Sequence, residues 1–403
     1  MTPELVALAT GHRESRWTAD LTASDARARD AYAGRRVLVI GGAGSIGSAT
    51  VRALLAYAPA ALHVVDQNEN GLAEVARDIR GAAMAAAAVD VRLMPLDYGA
   101  AVTRRFLDAA GPYDAVLHFA ALKHVRSEKD PASVLQMLDT NVVKQARLLS
   151  WLAEAGTPAR YFAVSTDKAA DPVNFMGASK RLMEQLLFTG APLGGAVVTS
   201  ARFANVAFSA GSLLESWSAR IAKRQPLAVP RDTRRYFVSL DEAAAICLLA
   251  ATAIPAGHVA VPRLTVETDL RELAPIAEGF VRAAGYATAW YDDEAEARGA
   301  VAREAARGAW PVLRTPRDTD GEKAEETFVG AHEAAVEVGL SQLRAVPQPG
   351  ADAATLREVL ATLSRWIDDS SVRADKGAIA ACVRRVVPEF APQASGKSLD
   401  DRV

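Results

Sequence analysis

Val37-Leu38-Val39-Ile40-Gly41-Gly42-Ala43-Gly44-Ser45-Ile46-Gly47-Ser48 is the stretch that decides the fold. A short apolar run of strand length ends in glycines, Gly41, Gly44 and Gly47 recur at three-residue steps, and a helical pattern continues from Ser45 to Tyr57. Between a strand and a helix such glycines have separate tasks. The first permits the tight turn, the second lets the backbone approach a pyrophosphate, and the third allows close helix-to-strand packing while the helix N-terminus faces the phosphate charge. A second apolar run, Leu62-His63-Val64-Val65, completes a β-α-β unit, and Asp66 closes it. A carboxylate there accepts hydrogen bonds from the adenosine ribose hydroxyls and repels a ribose phosphate. Its neighbours Gln67-Asn68-Glu69-Asn70 supply no arginine, so NAD is expected rather than NADP.

Working outward, Val91 to Met94, Ala115 to His118, Tyr161 to Val164 and Ala196 to Arg202 read as further strands with helix-length segments between them. That alternation predicts an α/β fold, a doubly wound parallel sheet of the Rossmann type with helices on both faces. The expected organisation is an N-terminal lead-in over 1–34, an NAD-binding domain over 35–204, a smaller substrate-binding lobe over 205–330 whose sheet elements can interleave with the first, and a C-terminal helical extension over 331–403. Helices are expected there at Ala331 to Glu337, Ala353 to Asp368 and Lys376 to Val386. Leu356, Val359, Leu360, Leu363 and Trp366 recur at three- and four-residue steps, which makes one apolar face that must be covered within the chain or in a homo-oligomer.

The chain has 403 residues, half of them hydrophobic, with 46 Lys plus Arg against 48 Asp plus Glu. This balance excludes a disordered chain and argues against a general nucleic-acid binder. No run approaches the ~18 apolar residues of a membrane span, and the start lacks the pattern of a signal peptide, so no membrane contact and a cytoplasmic location are expected. Cys247 and Cys382 lie far apart without a C-x-x-C or His-Cys cluster. Neither a disulfide nor a metal site is expected, and both read as small core residues.

Chemistry enters at the end of the Tyr161 to Val164 strand. Ser165-Thr166-Asp167-Lys168 follows it, and Asn174 to Lys180 opens the next helix. Strand ends edge the ligand crevice of an open parallel sheet, so a hydroxyl, an acid and an amine there can converge beside a nicotinamide. Lys180 shares a helical face with Met176, where its charge can bind the nicotinamide ribose and lower the pKa of a nearby hydroxyl. Taken alone, the string reads equally as a solvated turn with Asp167 as a cap.

Longer strings separate those readings. His118-Phe119-Ala120-Ala121-Leu122-Lys123-His124-Val125, the Thr140-Asn141 pair, STDKA at Ser165 to Ala169, MGASKR at Met176 to Arg181, RFANV at Arg202 to Val206 and RRYF at Arg234 to Phe237 stand beside the glycine turn. Together they resemble the extended short-chain dehydrogenase/reductase superfamily. Within it they are similar to the UDP-N-acetylglucosamine 4,6-dehydratases of polysaccharide biosynthesis. The resemblance runs from about Gly34 to Glu326, where Gly321-Glu322-Lys323 with Glu325-Glu326 matches that family's late GEK-x-EE element; Val387 to Phe390 resembles the ending of some members.

The resemblance implies an internal redox dehydration of a nucleotide sugar that yields a 4-keto-6-deoxy product for surface glycans. Hydride leaves carbon 4 for NAD, the ketone acidifies carbon 5, Lys168 held neutral removes that proton, protonated Asp167 serves the departing carbon 6 hydroxyl, and hydride returns to carbon 6. Thr166, Asp167, Lys168 and Lys180 are thereby implied as catalytic. Implied cofactor contacts are Gly41, Gly44, Ser45, Ile46, Gly47, Asp66, Asp97, Tyr98, Phe119, Ala120, Asn141 and Lys180. Implied substrate contacts are Lys123, Met176, Asn205, Ser212 and Arg235, the last because a guanidinium matches two diphosphate oxygens at once. His118 and His124 are not at metal-ligand spacing and read as pocket lining or core. Where the superfamily usually has tyrosine, this chain has Met176, which cannot transfer a proton; some members of the dehydratase branch share it. The carbon 4 proton then falls to Thr166 with Lys180, Asp167 or an ordered water. Two rivals follow: a nucleotide-sugar 4-epimerase, which needs no Asp-Lys elimination pair, and a non-catalytic dinucleotide-binding regulator, which needs neither Lys168 nor Lys180.

Overall fold

The computed structural model describes residues 2–81, 89–123, 128, 130–190, 193–316 and 326–392. Its strands are β1 (Arg36–Ile40), β2 (Ala61–Asp66), β3 (Asp90–Pro95), β4 (Ala115–His118), β5 (Arg160–Val164), β6 (Val197–Ala201), β7 (Asn205–Val206), β8 (Leu227–Pro230), β9 (Arg234–Val238), β10 (His258–Pro262), β11 (Leu270–Glu272), β12 (Ala287–Tyr291), β13 (Ala309–Thr315), β14 (Val336–Glu337) and β15 (Leu343–Pro347). The main sheet is ordered β14-β15-β10-β6-β5-β4-β1-β2-β3. Strands β3 to β10 in that order are parallel, while β15 joins β10, and β14 joins β15, antiparallel. The order reverses between β1 and β4. That reversal opens the crevice where an open α/β sheet takes its ligand.

Both faces of the sheet are covered, which is why β1 reads as an uninterrupted apolar run: Val37, Leu38, Val39 and Ile40 are all fully buried. Val37 and Val39 pack with Leu54, Leu62, Val64, Trp17 and the helix Leu240–Thr252. Leu38 and Ile40 pack on the other face with Tyr161, Leu182 and the C-terminal helices. The helix Leu240–Thr252 is apolar all round and buried from Glu242 onward, so packing rather than an amphipathic stripe fixes it; a capping box of Ser239 and Glu242 sets its start. Cys247 sits inside it, its thiol pushed up by burial, and Cys382 is likewise a buried free thiol.

Two small three-stranded sheets, β11-β9-β7 and β12-β13-β8, build the second lobe around Trp217, Phe280 and Trp310. Helix Pro3–Thr10 packs Leu5, Val6, Leu8 and Ala9 into that lobe, whereas Trp17 and Tyr32, farther along the same N-terminal segment, pack into the main core. Asp20 accepts from Ser341 N at 2.7 Å and Gln342 N at 2.8 Å. One segment thus braces both lobes and the C-terminal part.

The expected helix over Ala331 to Glu337 does not form. Glu333 is drawn onto Arg202, and the alternating Val336-Glu337-Val338 pairs at the sheet edge instead, so the region after 330 contributes β14 and β15 before it turns helical. The helix Ala353–Asp368 is as read from the sequence, N-capped by Asp352, which accepts from Thr355 N at 2.7 Å. Leu356, Val359 and Leu363 are buried, with Leu360 and Trp366 partly so, and the chain itself covers this apolar face together with helix Lys376–Arg384. Among the described residues no helix is long and apolar enough to cross a membrane, and no cluster of His, Cys, Asp and Glu could hold a metal ion.

Candidate active site

The glycine turn lies at the carboxyl end of β1, against the residues that leave β4. Gly41 has φ +78°, and a Cβ there would stand 2.3 Å from Ala120 N, so both its conformation and its contact require glycine. Helix Ser45–Leu55 begins at once after Gly44 and presents its N-terminus to the crevice. Asp66 is no loose strand-end carboxylate: one oxygen accepts from Ala43 N at 2.9 Å and the other from Asn68 N at 2.9 Å. These features form a cradle that fits a dinucleotide. Ser45 accepts from Ala210 N at 2.9 Å, tying a second-lobe loop to the turn, while Ile46 packs on the core and Phe119 N donates to Ile40 O.

Several expected cofactor contacts are occupied within the protein. Asp97 holds Lys144 at 2.5 Å; desolvation raises its carboxyl, yet Lys144 and the Gly99 N–H bring it below the usual range. Buried Tyr98 donates to Thr140 O. Asn141, in a one-turn π-helix over Asp139–Val143, accepts from Leu122 N at 2.8 Å and donates to Leu122 O and Ser179 Oγ at 2.9 Å. It therefore fixes the loop that leaves β4 with both N–H groups used. His118 is fully buried with Nδ1 2.8 Å from the Tyr161 hydroxyl, and burial, aided by Lys180, pushes its pKa down to about 3; it lines the core. His124 and the GEK-x-E residues before Glu326 lie outside the described residues.

The hydroxyl, acid and amine do converge. After β5, Thr166 Oγ1 donates to Asp167 Oδ1 at 2.7 Å, and Lys168 Nζ stands 3.3 Å from each Asp167 oxygen. Asp167 is buried; Lys168 is about a third exposed. Helix Phe175–Phe188 is capped by Asn174, and Glu128 accepts from Phe175 N and Met176 N at 2.9 and 2.8 Å. A Cβ on Gly177 would meet Lys168 O at 2.2 Å, so glycine lets this helix seat directly on the Thr166-Asp167-Lys168 turn. Met176 is buried beside it. Lys180 is buried with Nζ 3.1 Å from Met183 Sδ, and burial, opposed by the Glu184 charge, lowers its pKa from 10.5 to about 8.

The substrate-side residues gather in two places. Lys123 Nζ donates to Ala210 O at 2.8 Å, and burial lowers its pKa. Ser212, just beyond, caps helix Leu213–Ala222 through Glu215 N at 3.2 Å. Asn205 and Arg235 instead meet at Glu326: Asn205 Nδ2 donates to its Oε1, and Arg235 Nε lies 3.5 Å away.

A buried charge network supports the turn from behind, and sequence reading missed it. Glu184 accepts from Ser165 Oγ at 2.6 Å, from Arg202 at 2.8 and 2.6 Å and from Arg181 at 3.1 Å. Arg202 also reaches Glu333 at 2.5 Å, and Arg181 reaches Glu389 at 2.8 Å. Desolvation raises the Glu333 carboxyl, but Arg202 outweighs it and holds the pKa down to about 2. Glu184, four residues after Lys180, carried a spacing signal; Glu333 carried none, because only the tertiary fold brings it to Arg202.

A family profile described as polysaccharide biosynthesis protein matches residues 37–304. An uncharacterized membrane protein of Methanocaldococcus jannaschii is 32% identical over 256 residues, 60% of this chain and 73% of its own. A UDP-N-acetylglucosamine 4,6-dehydratase (inverting) of Campylobacter jejuni is 27% identical over 240 residues, 58% of this chain and 68% of that enzyme. The match to the probable polysaccharide biosynthesis protein EpsC of Bacillus subtilis spans only 42% of that protein's length, at 27% identity and 63% of this chain. In fold, the chain resembles Pen from Bacillus thuringiensis (TM-score 0.62, 20% identity, 79% of this chain and 90% of that one). It also resembles a dTDP-glucose 4,6-dehydratase from Streptomyces venezuelae, solved with NAD bound (TM-score 0.50, 22% identity, 83% and 98%). The chain belongs to the polysaccharide biosynthesis protein family, among the extended short-chain dehydrogenase/reductases that include the nucleotide-sugar dehydratases.

Proposed function

We propose that the protein is a nucleotide-sugar 4,6-dehydratase with bound NAD, acting on UDP-N-acetylglucosamine. The observation that carries this reading is the hydrogen-bonded string Thr166-Asp167-Lys168 on the crevice side of β5. An epimerase needs a proton path at carbon 4 and has no use for an adjoining acid and amine. The glycine turn, Asp66 and Lys180 would hold the dinucleotide, and the Asp66 carboxylate favours a free ribose over a phosphorylated one. When bound, NAD accepts hydride from carbon 4 and later returns it to carbon 6.

The residues of the chain supply the proton chemistry. Met176 has no proton to move, so the carbon 4 hydroxyl gives its proton to Thr166 Oγ1, which passes its own to Asp167 along the 2.7 Å bond. Lys168 then removes the carbon 5 proton, and Asp167 delivers its proton to the carbon 6 oxygen as that carbon–oxygen bond breaks. Water leaves, and Lys168 returns its proton to carbon 5. The proton from oxygen 4 departs in the water. Lys123, Asn205, Ser212 and Arg235 are proposed for the nucleotide diphosphate and sugar. Incubating the protein with UDP-N-acetylglucosamine and following product mass tests this: loss of one water supports it, and a product of unchanged mass with an inverted carbon 4 overturns it in favour of an epimerase.

A further inference from the structure

Arg235 is expected to grip a diphosphate and Asn205 to touch the substrate beside it, yet donors of both are engaged within the chain. Asn205 Nδ2 donates to Glu326 Oε1 and, at 3.3 Å, to Tyr236 O. Arg235 places Nε 3.5 Å from the same Glu326 oxygen and donates from Nη1 to Arg234 O at 2.8 Å. The other Glu326 oxygen accepts from Tyr236 N at 2.9 Å. The Glu326 side chain is only 5% exposed, so this is a built arrangement rather than a surface contact. Its position is fixed from both sides. Ser165 N donates to Ala201 O at 2.8 Å, so the chain leaving β6 toward Asn205 starts at the same end of the sheet as the Thr166 turn. Just beyond Glu326, Arg202 donates to Phe328 O at 3.1 Å, the Phe328 ring packs on Tyr236, and Ala331 N donates to both Asp171 oxygens at 3.1 and 2.9 Å.

Such a place suits a part of the substrate other than the diphosphate. Phosphate oxygens need donors, and here they would meet a carboxyl that already occupies them. Driving an anion onto the same groups would strip buried Glu326 of its partners, which is costly. What the place presents instead is acceptors, because each carboxyl oxygen has a lone pair beyond the bond it already accepts. Lys123 is the opposite case: its ammonium carries several hydrogens, of which the 2.8 Å bond to Ala210 O takes one, and it suits phosphate oxygens. We propose that Glu326 is a specificity-determining residue that accepts a hydrogen bond from a hydroxyl or amide N–H of the hexose, with Asn205 and Arg235 holding it in place and the diphosphate lying on Lys123. This rests on the nucleotide-sugar reading above and deepens it.

Calorimetric titration of the full chain with NAD added, in a Lys180→Met background that blocks turnover, tests this with UDP and UDP-N-acetylglucosamine. UDP carries the diphosphate without the sugar. Glu326→Ala should lower the affinity for UDP-N-acetylglucosamine about tenfold or more, as expected for one hydrogen bond to a buried carboxyl, and leave that for UDP within about threefold. UDP binding by the same variant shows that it is folded. Glu326→Gln, which keeps an acceptor, should lose less. Arg235→Met should likewise spare UDP, whereas Lys123→Met should weaken it about tenfold. Unchanged affinity of Glu326→Ala for the sugar nucleotide overturns the proposal. So does UDP binding that falls in Arg235→Met and holds in Lys123→Met, which puts the diphosphate on Arg235. Tighter UDP binding by Glu326→Ala overturns it too, because Glu326 would then be a plug that the diphosphate displaces. Binding of neither ligand by the parent removes the nucleotide-sugar reading and the proposal together. If the binding pattern holds while the wild-type chain takes no water from the sugar nucleotide, the sugar contact stands and the dehydratase reading falls.

Discussion

Lys180→Met should stabilise the cofactor-free protein while abolishing turnover. Lys180 is buried, its Nζ faces the Met183 thioether, and its pKa falls from 10.5 to about 8 in the fold. At about 1.4 kcal/mol per pH unit, that depression means the charged lysine costs the folded state about 3 kcal/mol at neutral pH. Below pH 8 both folded and unfolded chains hold the proton, so the cost is present in full. Between pH 8 and 10.5 the folded chain releases the proton and the unfolded chain keeps it, so wild-type stability rises with pH. Methionine has a similar length and no charge. The variant should therefore exceed wild type by about 3 kcal/mol at pH 7, and the gap should close as pH climbs through 10.5. Paired urea titrations of the two proteins at pH 7, 8.5 and 10 measure it, and the comparison cancels other alkaline effects. A variant no more stable than wild type at pH 7, or a gap constant with pH, refutes the argument. Such a cost kept at a site is the usual mark of a residue retained for chemistry.

Asp167→Asn and Lys168→Met should each lower dehydration by about 10²–10⁴-fold and accumulate reduced nicotinamide on adding substrate, read by absorbance; near-normal dehydration by Lys168→Met returns the epimerase reading to first place. Glu184→Gln, which breaks the contact of a fully buried Arg202, should cost about 3–5 kcal/mol in a urea titration, whereas Glu294→Gln in the exposed Arg298 pair should cost nothing measurable. Leu363→Ala should cost about 2–5 kcal/mol through the cavity it leaves between the C-terminal helix and the sheet. Acid extraction of the purified protein should release NAD, and Asp66→Ala should raise the share of NADP; a wild-type preparation carrying mainly NADP removes the argument from Asp66.

The strands of the parallel sheet were legible because burial on both faces forces apolar runs such as Val37 to Ile40, and because glycines mark where β1 turns. The helix Ala353–Asp368 was legible for a different reason, its one-sided periodicity. The stretch Ala331 to Glu337 misled because its alanines favour a helix locally, while the Arg202 charge that claims Glu333 lies far away in sequence. Thr166, Asp167, Lys168 and Lys180 are close in sequence and were found together. Glu333 meets Arg202 from far along the chain, and nothing local marks its carboxyl for that contact. Asn141, expected as a cofactor contact, binds Leu122 N and O and Ser179 Oγ, partners that only the tertiary fold brings to it.

The antiparallel edge formed by β15 on β10 bears on how the chain reaches its native state. The parallel strands present an open edge at β10 until residues 343–347 arrive, and Asp20 finds its backbone partners only at Ser341 and Gln342. Contacts of that sequence separation form slowly, because the loop they close must be ordered first. A nascent chain in which the dinucleotide cradle is already complete would therefore still expose a pairing edge, and the Arg202 guanidinium would still lack Glu333. Aggregation during synthesis should be most acute in that interval, and a translation pause ahead of residue 343 would lengthen it.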